Sequence, residues 1–151
     1  MPVVENSVWV DAPVETVMAV AKDYEAYPTI MKDVKSISVL ETDGTRILAK
    51  WVARAEEVKM DIKWTQEDVW DDAGHRSHFR QTSGDYEKLE GDWVFTPENG
   101  GTRFDSTVDV EFNIPLIGPL LKGLIAKKVK ENLDDTQTAI KRRAEQIKSE
   151  G

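Results

Sequence analysis

The chain has 151 residues, 40% of them hydrophobic and 32% charged, with 28 acidic against 20 basic side chains for a formal net charge of −8. It has no cysteine, which excludes disulfides, thiol redox chemistry and cysteine-ligated metals. The acidic balance disfavours nucleic acid as a partner, since phosphate binding draws on a basic field.

Val8 and Val10 belong to an alternating strand that ends at Asp11. Asp11-Ala12-Pro13 then reads as a helix start, with a carboxylate to accept from free N–H groups and proline in the first turn. Val14, Val17, Met18 and Ala21 follow at helical spacing. Tyr24 to Pro28 interrupts that pattern, and Thr29 to Met31 forms a second short helical turn. From Val34 the period changes to two. Ile37 and Val39 alternate with serines, and Thr42-Asp43-Gly44-Thr45 is a hairpin signal. Ile47, Ala49, Trp51 and Ala53 make the next inward row, and Val58, Met60, Ile62 and Trp64 the one after. Ser77, Phe79 and Gln81 share a phase, as do Leu89, Gly91, Trp93 and Phe95. Ser106, Val108, Val110 and Phe112 form the last row. Gly91 interrupts its row, marking a bend, a bulge or a space.

Alternation stops before Pro115, and a long amphipathic helix fills most of the remainder. Ile117, Leu121, Leu124, Ile125, Val129, Leu133, Ile140 and Ile147 fall on one stripe. About thirty residues at 1.5 Å each span roughly 45 Å, enough to cross a sheet of this size. Lys127, Lys128, Lys130 and Lys141-Arg142-Arg143 read as a solvated face of that helix. The fold class expected is α+β: a curved antiparallel sheet of about seven strands wrapped on a long C-terminal helix, with two short helices after the first strand. One domain over residues 1–151 fits the length. No secretory signal and no membrane-spanning stretch is evident, so a cytoplasmic protein is the expectation.

Asp11-Ala12-Pro13-Val14-Glu15-Thr16-Val17 followed by Tyr27-Pro28 resembles the start of the polyketide cyclase/dehydrase and lipid-transport (START-like, SRPBCC) superfamily. Leu89-Glu90-Gly91-Asp92-Trp93-Val94-Phe95-Thr96-Pro97, Gly101-Thr102-Arg103 and Val108 to Phe112 resemble its coenzyme Q-binding branch, which includes ribosome-association toxins. Lys130 to Asp135 is more polar than that branch implies. The resemblance runs from about Val4 to Lys148 and implies a helix-grip fold with a cavity between sheet and helix. It implies no single chemistry, since members bind lipids, cyclise polyketides or act through protein partners.

The function expected is binding, carrying or presenting a hydrophobic small molecule: a lipid, an isoprenoid or quinone, or a polyketide-like compound. Its cavity would be lined by Tyr27, Met60, Ile62, Trp64, Phe79, Gln81, Trp93, Phe95, Val108, Val110, Phe112, Leu121, Ile125, Val129 and Asn132. The competing reading is that these side chains meet and fill the core. Gln81 and Asn132 are polar residues in apolar rows; each bonds a ligand carbonyl, or else backbone or water. Tyr24 and Tyr27 are placed on the cavity rim. His75 reads as a turn residue, and His78 as solvent-facing. Neither has metal-ligand spacing or a nucleophile frame, so no catalytic residue, metal or cofactor is assigned. A polyketide cyclase or aromatase and a protein-interaction module are the alternatives. Oligomeric state is not legible.

Overall fold

The computed structural model describes residues 3–56, 59–111 and 119–150, the side chains of Leu121, Lys122 and Ile125 excepted. Strands β1 (Val3–Val10), β2 (Val34–Asp43), β3 (Arg46–Ala55), β4 (Met60–Asp71), β5 (Arg76–Gly84), β6 (Lys88–Glu98) and β7 (Gly101–Glu111) form a seven-stranded antiparallel sheet. Its order is β1-β7-β6-β5-β4-β3-β2. From β2 to β7 each strand pairs with the next, as short turns dictate. Gly44 (φ +60°), Asn99 and Gly100 (φ 51° and 79°) supply the left-handed backbone of two of these turns. Between β1 and β2, helix α1 (Val14–Lys22), a 3-10 turn (Tyr24–Ala26) and α2 (Tyr27–Ile30) carry the chain from one sheet edge to the other. Helix α3 (Pro119–Glu150) packs against β1 and α1. This is the helix-grip architecture expected.

Burial follows the alternation. Ala49, Trp51, Ala53 and Ala55 face inward from β3, and Ile62, Trp64, Gln66, Asp68 and Trp70 from β4. Leu89, Gly91, Trp93 and Phe95 do so from β6, and Thr102, Phe104, Ser106, Val108 and Val110 from β7. Four details differ from the sequence expectation. Pro13 is the N-cap of α1, whose first amides bond to its carbonyl, and Asp11 pairs instead with Lys148 of α3 (2.6 Å). Val39 is exposed, because β2 is an edge strand with register shifts on either side of Ile37, its last covered residue. Lys128 is not on the solvated face but buried, its ammonium 3.0 Å from Asp33 Oδ2. Leu124 is exposed, and the seam of α3 runs instead through Val129, Leu133, Gln137, Ile140, Ala144 and Ile147. Val58, Phe112, Pro115 and Ile117 lie outside the described residues.

Gly91 neither bulges the ladder nor leaves a hole. It sits opposite Phe79 in continuous β5–β6 pairing, and the Phe79 ring covers it. A β-carbon there would stand 2.5 Å from the Thr107 carbonyl and 2.8 Å from Phe79 Cζ. Gly91→Ala must therefore push the ring and the β7 backbone. Urea unfolding should show a loss of about 1–3 kcal/mol with an unchanged slope.

Candidate functional site

Indole rings dominate the concave face. Trp51 and Trp64, cross-strand partners on β3 and β4, stack at 5.5 Å with 17° between planes. Tyr86 meets Trp64 edge-on at 5.2 Å, and Phe79 meets Trp93 edge-on at 5.7 Å. Across from them α3 presents Val129, Asn132, Leu133 and Thr136. The space left between is a cavity of about 70 Å³, which Val34, Ala53, Gln66 and Leu89 complete. It has room for a couple of water molecules, whereas pockets for drug-sized ligands run to roughly 300–1,000 Å³.

A polar chain runs behind this wall along the inward row of β4. Trp64 Nε1 donates to Gln66 Oε1 (2.9 Å), and Gln66 Nε2 donates to Asp68 Oδ1 (2.8 Å). Further along, Trp70 Nε1 donates to the Tyr24 hydroxyl (2.7 Å). Asp68 is 2% exposed and makes no ion pair among the described residues. Burial raises its carboxyl from the ordinary 3.8 to about 6, against the opposing pull of hydrogen bonds from Gln66 and Tyr24. Burial likewise drives the Tyr24, Tyr27 and Tyr86 hydroxyls above the ordinary phenol range, so these stay neutral. Gln66 is thus held at both ends of its amide, and it also lines the cavity.

Of the residues expected at the site, the fold brings Trp64, Phe79, Trp93, Val129 and Asn132 to the cavity. Ile62, Phe95, Val108 and Val110 are buried in the core, and Met60 is half-buried, but none of these lines it. Tyr27 is wholly buried; its hydroxyl donates to the Ala21 carbonyl, and its ring packs edge-on against Trp51 at 5.6 Å. Gln81, half-buried, bonds to nearby backbone. Its Nε2 donates to the Tyr86 carbonyl (2.8 Å) and its Oε1 accepts from the Tyr86 amide (3.1 Å), clipping the β5–β6 turn shut. Phe112 and the side chains of Leu121 and Ile125 lie outside the described residues. Val34, Trp51, Ala53, Gln66, Tyr86, Leu89, Leu133 and Thr136 also line the cavity and were not among the residues expected there, although Trp51 and Gln66 stand in inward-facing phase and could have been read from the alternation.

Cationic and imidazole groups turn the other way. Arg54 pairs with Asp61 (3.2 Å) and Arg80 with Glu67 (3.2 Å) on the solvent face. His78 lies between Asp92 (2.9 Å) and Glu90 (2.8 Å), whose hydrogen bonds, Asp92's foremost, raise its pKa. Among the described residues, no arginine, lysine or histidine lines the cavity.

The family described as polyketide cyclase / dehydrase and lipid transport matches residues 10–137. The chain belongs to this family. A crystal structure of a Thermus thermophilus protein, 36% identical, superposes with a TM-score of 0.87 over 95% of this chain and 97% of that one. The Zhui aromatase/cyclase of Streptomyces sp. R1128 shares the fold at 19% identity, with a TM-score of 0.86 over 95% of this chain and 93% of that one. A putative polyketide cyclase of Streptomyces halstedii is 28% identical over 98 residues, 62% of this chain and 89% of that one. The family's fold is a hydrophobic ligand-binding one. No described helix is long and apolar enough to cross a membrane.

The raised carboxyl of Asp68 ties stability to pH. The folded protein holds its proton up to about pH 6 and the unfolded chain only to about 3.8, so stability falls as pH rises through that interval. The full difference corresponds to about 3 kcal/mol. Asp68→Asn should lose that slope, so that its melting temperature relative to the parent rises between pH 4.5 and 6.5. A constant difference across that range would mean that the carboxyl is not the titrating group.

Proposed function

We propose that this protein binds an extended or flat hydrophobic molecule of the lipid, isoprenoid or polyketide class, holding it between the indole wall and α3. The observation that carries this reading is the composition of the cavity wall: aromatic and aliphatic surface with a few neutral donors and acceptors (Gln66, Asn132 and Thr136) and, among the described residues, no charge. Such a wall binds by apolar burial, about 25 cal/mol per Å², and fixes orientation with one or two hydrogen bonds. The Gln66 amide, with two N–H groups to donate, suits a ligand carbonyl. Because the cavity is small, occupancy requires α3 or the indoles to yield. The protein would carry or present its ligand as a single domain in solution.

The likeness to an aromatase/cyclase and to a putative polyketide cyclase favours a second reading. In it the cavity folds a poly-β-ketone and Gln66, oriented by Asp68, polarises one of its carbonyls. Orientation alone contributes several kcal/mol to such reactions. Turnover of a poly-β-ketone surrogate that disappears in Gln66→Leu would promote it; binding without turnover leaves the carrier reading standing.

Mass spectrometry of the purified protein, native and after solvent extraction, is the direct test, with a stoichiometric lipid, quinone or aromatic compound expected. Titration with such a compound should quench the fluorescence of the cavity tryptophans. Trp93→Ala should weaken its binding about tenfold or more while the far-ultraviolet circular dichroism stays native. Unchanged affinity would remove Trp93 from the binding wall.

A further inference from the structure

Beside the cavity, a groove of about 370 Å³ runs between α2 and α3, bordered by Ile30, Met31, Asp33, Ala139 and Arg142. The groove and the cavity share three lining residues, Val34, Asn132 and Thr136. Those three residues border both spaces and stand between them. Val34 begins β2, an edge strand whose ladder slips between Val34 and Ser36, so the sheet is least constrained beside this partition. Asn132 and Thr136 stand one helical turn apart on α3, where Thr136 Oγ1 donates to the Asn132 carbonyl (2.7 Å).

Among the described side chains, the fastenings of α3 lie mostly in its second half. From Gln137 onward it is pinned by the wholly buried Gln137 amide, by Ile140 and Ala144, and by Lys141, whose ammonium donates to the Trp9 carbonyl (2.8 Å). Toward its start, Pro119, Leu120, Gly123, Leu124, Ala126 and Lys127 are exposed. Among the described side chains of that first half, Lys128 and Val129 are the buried ones. Lys128 reaches Asp33, the residue before Val34 and itself held in place where its carbonyl accepts from the Arg54 amide (2.7 Å). Glu131, exposed on the outer side, also lies 4.0 Å from the Lys128 ammonium. A lysine drawn out of water to meet a carboxylate at the edge of a thin wall has the form of a bolt.

We propose that ligand enters and leaves through the groove between α2 and α3, past Val34, Asn132 and Thr136, and that the buried Lys128–Asp33 ion pair is the bolt that keeps this door shut. The proposal rests on the reading that the cavity is the ligand site. It assigns the pair to the rate of exchange. The bound ligand would touch Val129 and Asn132, not Lys128. Removing the Asp33 carboxylate lets the ammonium regain water by swinging out, and the first half of α3 goes with it.

The test has one arm that needs no ligand. Acrylamide quenching of tryptophan fluorescence reports access to Trp51, Trp64 and Trp93 directly. Asp33→Asn and Lys128→Met should each raise the quenchable fraction over the parent, in which Trp9 is the exposed indole. In the second arm, stopped-flow dissociation of anilinonaphthalenesulfonate should be about tenfold faster in both variants, with Kd changed by less than about threefold. The chain has no cysteine, so Asp33→Cys with Lys128→Cys can be bridged by a short bis-maleimide. The bridged protein should lose quenching and exchange that the unbridged protein shows. Bridged protein that quenches and exchanges like unbridged protein would overturn the door. Parent-like quenching in both single variants would overturn the bolt. Enhanced quenching without probe binding to any form would keep the door and sink the cavity as the ligand site.

Discussion

The amide of Gln137, wholly buried on α3, donates to the carbonyl of Phe104 on β7 (3.1 Å) and to that of Asn6 on β1 (3.3 Å). Around it Lys141 and Lys148 reach Trp9 and Asp11, and Glu145 accepts from the Asp11 amide. This polar fastening decides where the helix lies on the sheet. An apolar seam alone can slide by a turn. A buried amide nitrogen that has lost its water cannot, because each misplaced register strands its N–H groups and the carbonyls they serve. The position of the cavity follows, since that cavity is what remains between a fixed helix and a wall of indoles.

That wall combines rigidity with modest specificity. Stacked and edge-on aromatic pairs hold one another in place, so the face opposite α3 offers a preformed surface with few side-chain torsions to freeze. The chain of hydrogen bonds from Trp64 through Gln66 to Asp68 orients a single amide toward the cavity at the expense of burying a carboxyl that no cation among the described residues neutralises. A solid core would be served as well by leucine at position 68. The polar run is therefore difficult to explain by stability alone. It fits a surface that must read one polar atom on an otherwise greasy molecule.

Much of this fold is visible in the sequence because a half-wet antiparallel sheet writes its register into every second residue. The strands carrying Trp51, Trp64, Phe79 and Trp93 could be placed, although Trp51 was not among the residues expected at the cavity. Where prediction strayed, a long-range partner had changed the meaning of a local signal. Asp11 has the form of a helix cap but is claimed by Lys148, 137 residues away. Lys128 sits in a run of lysines that spells a solvated face, and only the fold reveals Asp33 opposite it. Gln81 and Gln66 look alike in their rows, yet one closes a turn and the other faces the cavity. Alternation says which way a side chain points; it says nothing about how far the facing helix stands from it. That is why Ile62, Phe95, Val108 and Val110 were expected on the cavity wall and are packed in solid core beside it.

The unequal fastening of α3 has a mechanical side. From Gln137 back to the first turn the helix runs about 27 Å as a stiff rod. Pinned at one end and bolted part-way along, it is a lever whose fulcrum lies under the β1 edge. A tilt of about ten degrees there, small enough to leave the Gln137 bonds in place, carries the far end through roughly 5 Å on such an arm. Access to the interior can thus be governed without repacking the indole wall at all.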